Sequence, residues 1–597
     1  MSDFEIVRVE LLVEVGTKKW KCRKPSSWAR LLHVVVACLV SDAVFAAEDD
    51  DFNAEQVSAN DACHEIVVPG QAPFDISSVD YEWPTDLIPA NAVIGDIVIT
   101  RYRIFNHDDP AENYALYRFA DYLHIDTLES TIREKLIFEP GDHYQQRVLE
   151  ESARILRRLS FLYDARVWPY RICGNRVDIE VVTRDLWTIS GGVSVSRSGG
   201  NDKTRFSVVD SNFLGRGELL SFSKVNSTDR NGVEVGYSDP SVAGTHHYLD
   251  LSYADNDDGS LALIKMGRPF YSLDTTQAWG VFYDKTVQAN DFYEEGEEIA
   301  SFQSHEHRAE VYWGLSRGLK SDITKRWWFG LHYETEDYDP IVGETPPALF
   351  PPDREINYPW IGFDRIEENY IKATNLNQIH RIEDFNLGAS YSWRLGFSSE
   401  NFGSDRDRLV YRGSYHNGWR YNDKILMQLE LGLEGMWRRE TNDSEDVKLI
   451  SKWRYYRGAS RYIGTYFALD MTYAYDLPAH EQLLLGNDEG LRGYPSRYQD
   501  GDRSFLFTAE RRFFNDWHIF RLLRVGGAVF FDAGRAWFPS DKKEGASDVL
   551  YDVGFGIRLA STRAESNKTY NIDIAFPINP EDDVDSYQIS LTARQSF

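Results

Sequence analysis

The hydrophobic pattern changes character once along the chain. From Trp187 to Phe597 apolar and polar residues alternate strictly, run after run. Leu387, Ala389, Tyr391, Trp393, Leu395 and Phe397 are separated by Gly388, Ser390, Ser392, Arg394 and Gly396. Ile425 to Leu433 and Phe467 to Tyr475 repeat the pattern. A period of two is that of a β-strand with unlike faces. Each run is long enough to cross a bilayer at a tilt, and turn signals such as Asn256-Asp-Asp-Gly259 separate them. A soluble β-sandwich also alternates. Against it stand the strand lengths, the eighteen to twenty candidates in one stretch, and the charges carried in the polar phase. A closed barrel accounts for both phases, one facing lipid and one a wet lumen, and closure removes the unpaired edges that lipid does not tolerate. The expectation is a transmembrane antiparallel β-barrel over residues 188–597.

Residues 94–187 are patterned differently and predict a small α+β unit. Ile94–Ile104 is strand-like. Thr127–Phe138 predicts a helix, with Thr127 and Ser130 as caps and Glu139-Pro-Gly-Asp142 as its stop. Tyr144–Leu159 predicts a second helix, with Val148, Leu149, Ile155, Leu156 and Leu159 near one face. Leu162–Tyr170 and Arg176–Arg184 predict two strands joined at Gly174-Asn175. The expected order is β-α-α-β-β.

The first 46 residues carry the order of a secretory signal peptide: a basic segment through Arg30, the apolar stretch Leu31–Val40, then small residues ending at Ala46. That apolar stretch is too short to span a bilayer. Residues 47–93 are acidic and Pro-containing and predict a linker. Of four cysteines only Cys63 and Cys173 follow residue 46, and an exported chain can pair them as a disulfide.

Composition sharpens this reading. The 597 residues hold 65 Lys plus Arg against 94 Asp plus Glu, a formal net charge of −29. Removing residues 1–46 leaves 58 basic and 89 acidic residues, a net −31. Nucleic acid is excluded as a partner, because neutralising phosphate needs a basic surface. The 14% aromatic content argues against disorder. Mean hydropathy is −0.46, which alternating lipid-facing and lumen-facing residues produce when averaged.

No nucleophile elbow, zinc-protease helix, phosphate loop or C-x-x-C pair occurs, so no enzyme activity, cofactor or metal is expected. His246-His247 and His305-Glu-His307 could suggest metal, but neighbouring strand residues point to opposite faces, so the first pair is not expected to share an ion. Asp255-Asn-Asp-Asp-Gly259 opens like a calcium loop but lacks the downstream Glu in frame.

The informative cluster lies late in the chain. Leu491-Arg492-Gly493-Tyr494 sits in a long inter-strand segment, followed by strands containing Ala509-Glu510-Arg511 and Phe530-Phe-Asp532-Ala-Gly534. The last run, Tyr587, Ile589, Leu591, Ala593, Gln595, ends on the aromatic Phe597. Leu491–Tyr494 resembles the V-R-G-F/Y signature of the sixth extracellular loop in the BamA/TamA surface-antigen superfamily. Phe530-x-Asp532-x-Gly534 resembles that superfamily's F-x-D-x-G strand. The β-α-α-β-β unit is similar to its periplasmic POTRA domain. The resemblance covers residues 94–597 and implies a barrel of sixteen strands in a Gram-negative outer membrane; the excess strands between Pro340 and Gly464 are read either as loop hairpins or as part of a larger barrel of up to twenty. It further implies a lumen-inserted loop in which Arg492 contacts Glu510 and Asp532. In this picture Gly493 turns the backbone tightly, and Gly534 leaves room beside Asp532. The implied role is insertion or translocation of proteins, with unfolded or secreted clients, membrane lipids and accessory envelope proteins as partners. A passive channel, a structural barrel and a dedicated exporter of one secreted protein are the alternatives. The chain has a single POTRA-like unit and no lipase-like domain, unlike several relatives.

Overall fold

The computed structural model describes residues 63–66, 87–198, 201–227, 231–294, 296–347, 350–458, 462–478, 481–539, 548–564, 568–578, 580 and 584–595. The expected signal peptide, most of the expected linker and Phe597 lie outside the described residues.

The small domain is one four-stranded sheet with helices. Its elements are β1 (Cys63–Glu65), β2 (Val93–Tyr102), α1 (Ala115–Leu123), α2 (Glu129–Arg133), α3 (Gln146–Arg157), β3 (Leu162–Cys173) and β4 (Arg176–Asp185). The sheet order is β1-β3-β4-β2, with β2 parallel to β4 and β3 antiparallel to it. Gly174 takes the left-handed conformation (φ 58°) that the tight β3–β4 turn requires. The core is apolar: Ile132, Leu149, Leu156, Leu162, Val177, Ile179 and Val181 are all buried. Cys63 and Cys173 are disulfide-bonded as register partners of β1 and β3.

Two helical expectations change. The helix expected over Thr127–Phe138 shrinks to Glu129–Arg133. Leu136 and Phe138 turn into the core instead, and residues 141–144 hydrogen-bond to Ala92 and Ile94 at the start of β2. Thr127 caps nothing: its amide donates to Asp185 and its hydroxyl accepts from Asn212. Helix α1 is unanticipated by the pattern, because its large apolar residues point away from the domain.

The rest of the chain closes into an antiparallel barrel of twenty long strands among the described residues, from Ile189–Ser198 to Gln588–Gln595, with the two-residue strand Arg354–Glu355 paired alongside. The number corrects the sixteen that the resemblance implies and matches the larger barrel left as the alternative. Strands Tyr358–Glu367, Ser390–Ser398, Arg408–Tyr421, Ile425–Arg438 and Asp443–Arg457 lie in the region assigned to loop hairpins, and all are part of the wall. The alternation dictates this. Each of these strands has one apolar phase that has to face away from water, and only a place in the wall provides that. On the outer face Trp313, Leu315, Trp327, Phe329, Leu331 and Tyr333 are 42–47% exposed on neighbouring strands. An apolar belt this continuous is not stable in water and defines a lipid-facing surface. Among the described residues no helix is long and apolar enough to cross a membrane.

With an even number of strands, both chain ends of the barrel lie at the end where the small domain docks. The walls are unequal. The first strand has 10 residues, whereas Glu297–Lys320 has 24.

One further segment, residues 368–389, connects two neighbouring wall strands but does not join the wall. Its short hairpin, Tyr370–Ala373 with Glu383–Asn386, folds into the lumen at the domain end. Leu376 and Phe385 pack there with Leu426, Tyr456, Tyr466 and Ala468. Across the lumen Thr569 donates to the Asn377 carbonyl (3.2 Å), and Ile379 packs with Phe514 and Ala560. The small domain is fixed to this hairpin by charge. Arg157 grips Asp384 through two bonds (2.8 and 2.7 Å), Arg154 pairs with Glu368 (2.6 Å), and Arg381 donates to the Arg157 carbonyl (3.2 Å).

Candidate functional site

The site is built by the segment between strands Ile463–Tyr475 and Arg503–Ile519. A short ribbon, Leu483–Leu485 with Gln499–Gly501, carries the chain inward from the barrel's far end. Leu485, Leu491 and Tyr494 are buried with Ala536 and Val584, so an apolar anchor holds the loop against the wall. Gly490 (φ 109°) makes the turn that delivers Leu491 and Arg492.

Arg492 is buried and spends its donors on carboxylates from the wall. Its Nε and Nη2 donate to the two oxygens of Asp532 at 2.7 and 3.0 Å. Its Nη1 donates to Glu510 at 3.0 Å and to Asp573 at 3.4 Å. Its Cζ lies 3.4 Å from the centroid of the Phe530 ring. A planar fork suits this arrangement of one bidentate acceptor, two lateral acceptors and an aromatic face, and an ammonium does not. The carboxylates are shared with other cations: Arg512 donates to Glu510 (2.8 Å) and Arg558 to Asp573 (2.5 Å). Asp552, the register partner of Asp532, accepts from the Gly493 amide at 2.8 Å.

The structure therefore brings Arg492, Gly493, Tyr494, Glu510, Phe530, Asp532 and Gly534 into one place. The role of Gly493 differs from a tight turn. Its φ is not left-handed, and a Cβ there would lie 2.5 Å from the Asp552 Cβ, so the residue is needed for close approach. Gly534 makes room for the loop's Leu485, which would be 3.1 Å from an added Cβ. Tyr494 reaches the Tyr551 carbonyl (3.3 Å). Asp552, Asp573, Arg512 and Arg558 were not singled out from sequence. Asp552 and Asp573 each fall in the polar phase of a strand, between Tyr551 and Val553 and between Ile572 and Ile574, which is the available signal. We expect Gly493→Ala to destabilise the folded barrel by about 1–3 kcal/mol, the range for forcing a methyl into packed space, measured as a lowered denaturant midpoint in detergent.

Between this loop and the domain-end hairpin lies a cavity of about 1640 Å³ lined by, among others, Glu489, Glu510, Arg512, Lys452, His416 and Asp384. The wall thus encloses a chamber with an inserted segment at each end.

Of the histidine pairs, His246 stacks on Tyr271 (3.6 Å) and His247 faces Trp279 (5.7 Å), while His305 lies 3.4 Å from Asp339. His124, Asp126 and Asp185 bring ligand atoms within 4.8 Å of one another. Hydrogen bonds already engage them: His124 with Asp185 (3.2 Å), Thr127 to Asp185 and Arg103 to Asp126.

These features define a membrane-spanning β-barrel with a small α+β domain docked at one end and a loop anchored inside. No protein-family model matches the chain, and no curated protein sequence does. Among solved structures it is similar to BamA from Haemophilus ducreyi lacking POTRA domains 1–3, at 13% identity over 83% of this chain and 84% of that one, with a TM-score of 0.36. It is also similar to CdiB from Acinetobacter baumannii (11% identity, 85% and 74% covered, TM-score 0.38) and to CdiB from Escherichia coli (10%, 87% and 92%, 0.32).

Proposed function

We propose that this chain is an outer-membrane protein that inserts proteins into that membrane or moves them across it, with the small domain serving as a periplasmic POTRA-type receptor. The observation that carries the reading is how the wall closes. Its first and last strands, Ile189–Ser198 and Gln588–Gln595, are neighbours in the barrel that no hairpin joins. A seam there can separate without unravelling a turn, whereas the other long strands are tied to their neighbours by the connecting chain. The bracing of the loop supports the same reading, because Arg492 stiffens the four strands beside the seam and confines opening to it.

Capture would use the edge of β2. The start of that strand, at Val93 and Ile94, is covered by residues 141–144, and residues 98–101 lie along the sheet's outer edge. An extended client can add there as a further strand. The work is mechanical rather than enzymatic, with lipids, unfolded or secreted clients and accessory envelope proteins as partners. The two inserted segments favour this role over a passive channel, whose lumen has to be open. Depletion of the protein followed by quantitative proteomics of the outer membrane tests it. We expect loss of a set of barrel or secreted proteins. Loss of one secreted protein would identify a dedicated exporter, and an unchanged proteome would overturn the reading.

A further inference from the structure

Helix α1 is amphipathic with its apolar face outward. Tyr117 and Asp121 form its buried side. On the other side Leu116, Phe119, Tyr122 and Leu123 are 70%, 57%, 82% and 48% exposed. At 100° per residue these four, with Ala115 among them, occupy one contiguous arc of about 120°. The exposed Arg118 borders that arc. A surface helix of a water-facing domain presents polar residues there, so this face requires a partner.

Its position says which. The buried side is bolted to the barrel's domain-end rim: the Tyr117 hydroxyl donates to the Phe520 carbonyl (2.6 Å), Phe105 stacks on Tyr117 (4.4 Å), and Glu112 pairs with Arg563 (2.5 Å). Phe520 and its neighbours Trp517 and Ile519 are exposed large apolar residues of that rim. Just beyond the helix, the Leu128 amide donates to Gly215 (2.9 Å), beside the exposed Leu214 of another rim turn. Helix α1 is thereby held against the rim that carries these exposed apolar residues, at the border of the lipid-facing wall.

We propose that α1 is an interfacial helix seated in the headgroup and acyl boundary of the leaflet at the domain end, with a phospholipid surface as its occupant. Apolar side chains enter the acyl region and Arg118 stays at phosphate level, the arrangement of monotopic amphipathic helices. The helix thus fixes the small domain's height and tilt against the membrane. The inference rests on the barrel spanning a membrane and is independent of the client-handling role.

The test uses the full chain reconstituted in vesicles of phosphatidylethanolamine and phosphatidylglycerol. A photoreactive benzoylphenylalanine replaces Phe119 or Tyr122, and in a control the exposed Glu139. Folded barrel is selected by its compact migration on an unheated gel. Mass spectrometry is expected to find phospholipid adducts at positions 119 and 122 and none at 139. Adducts to protein alone in cell envelopes, with no lipid adduct in vesicles, would assign the face to a protein partner and overturn the proposal. So would equal lipid adduct yields at all three positions, or none at any.

Discussion

Arg492→Glu is expected to destabilise the barrel by about 3–5 kcal/mol or more, the range for removing one partner of a buried ion pair. Three guanidinium groups, Arg492, Arg512 and Arg558, hold together the carboxylates of Glu510, Asp532 and Asp573, with Asp552 one strand over from Asp532. Asp532 and Asp552 are fully buried. Reversing the loop charge leaves Asp532 facing both Asp552 and a new carboxylate with no cation between them. The loop then leaves the lumen or the strands separate. Denaturant midpoints in detergent and heat-modifiable migration report the change. Adding Asp532→Arg is expected to recover part of the loss, because the new cation meets Asp552 across the strand pair. An unchanged midpoint for Arg492→Glu would end the view that this arginine anchors the loop.

Removal of the domain-end hairpin, residues 370–386, is expected to open the chamber to bulky reagents. The deletion leaves the wall able to close, since Ile366 and Ser390 at its two ends are register partners and a short turn can join their strands. It removes Leu376, Asn377 and Ile379, which reach strands on the opposite wall, and Asp384, the ligand of Arg157. A cysteine replacing Lys452 lines the chamber. We expect a polymer-linked maleimide to leave it unmodified in the parent and to modify it completely in the deletion. Equal protection in both would show that the docked domain closes that end unaided.

The sequence carried the wall better than its contents. Strict alternation, as in Ile425–Leu433 and Phe467–Tyr475, names a strand with one wet and one lipid face, and those runs lie in the barrel. The figure of sixteen came from resemblance. The pattern itself gave eighteen to twenty, because every strand with a lipid phase has to be part of the wall. The hairpin at 370–386 was illegible for the converse reason: inside a lumen neither phase faces lipid, so no alternation marks it. Arg492, Glu510 and Asp532 were reached through motif likeness, while Asp552 and Asp573 look like any polar-phase residue until the register sets them beside the loop. Helix α1 escaped because an outward apolar arc mimics no soluble helix.

The tallest part of the wall has a mechanical consequence. Strand Gln277–Glu294 outruns its neighbour Gly259–Arg268 by residues 288–294 at the far end, and on the other side Ile323–Pro340 outruns its pairing with Arg354–Glu355 by residues 337–340. At about 3.4 Å per residue and a tilt near 40°, the first overhang stands roughly 18 Å above its adjoining rim. Its tip is tied to the inserted loop by a reciprocal pair, Tyr293 with Gln482 (2.9 and 3.1 Å), and by Arg497 over the Tyr293 ring (4.2 Å). The overhang is therefore a lever with a built-in linkage. A load applied at this tip is transmitted, through about a dozen residues of chain, to the arginine clasped against the wall inside the lumen.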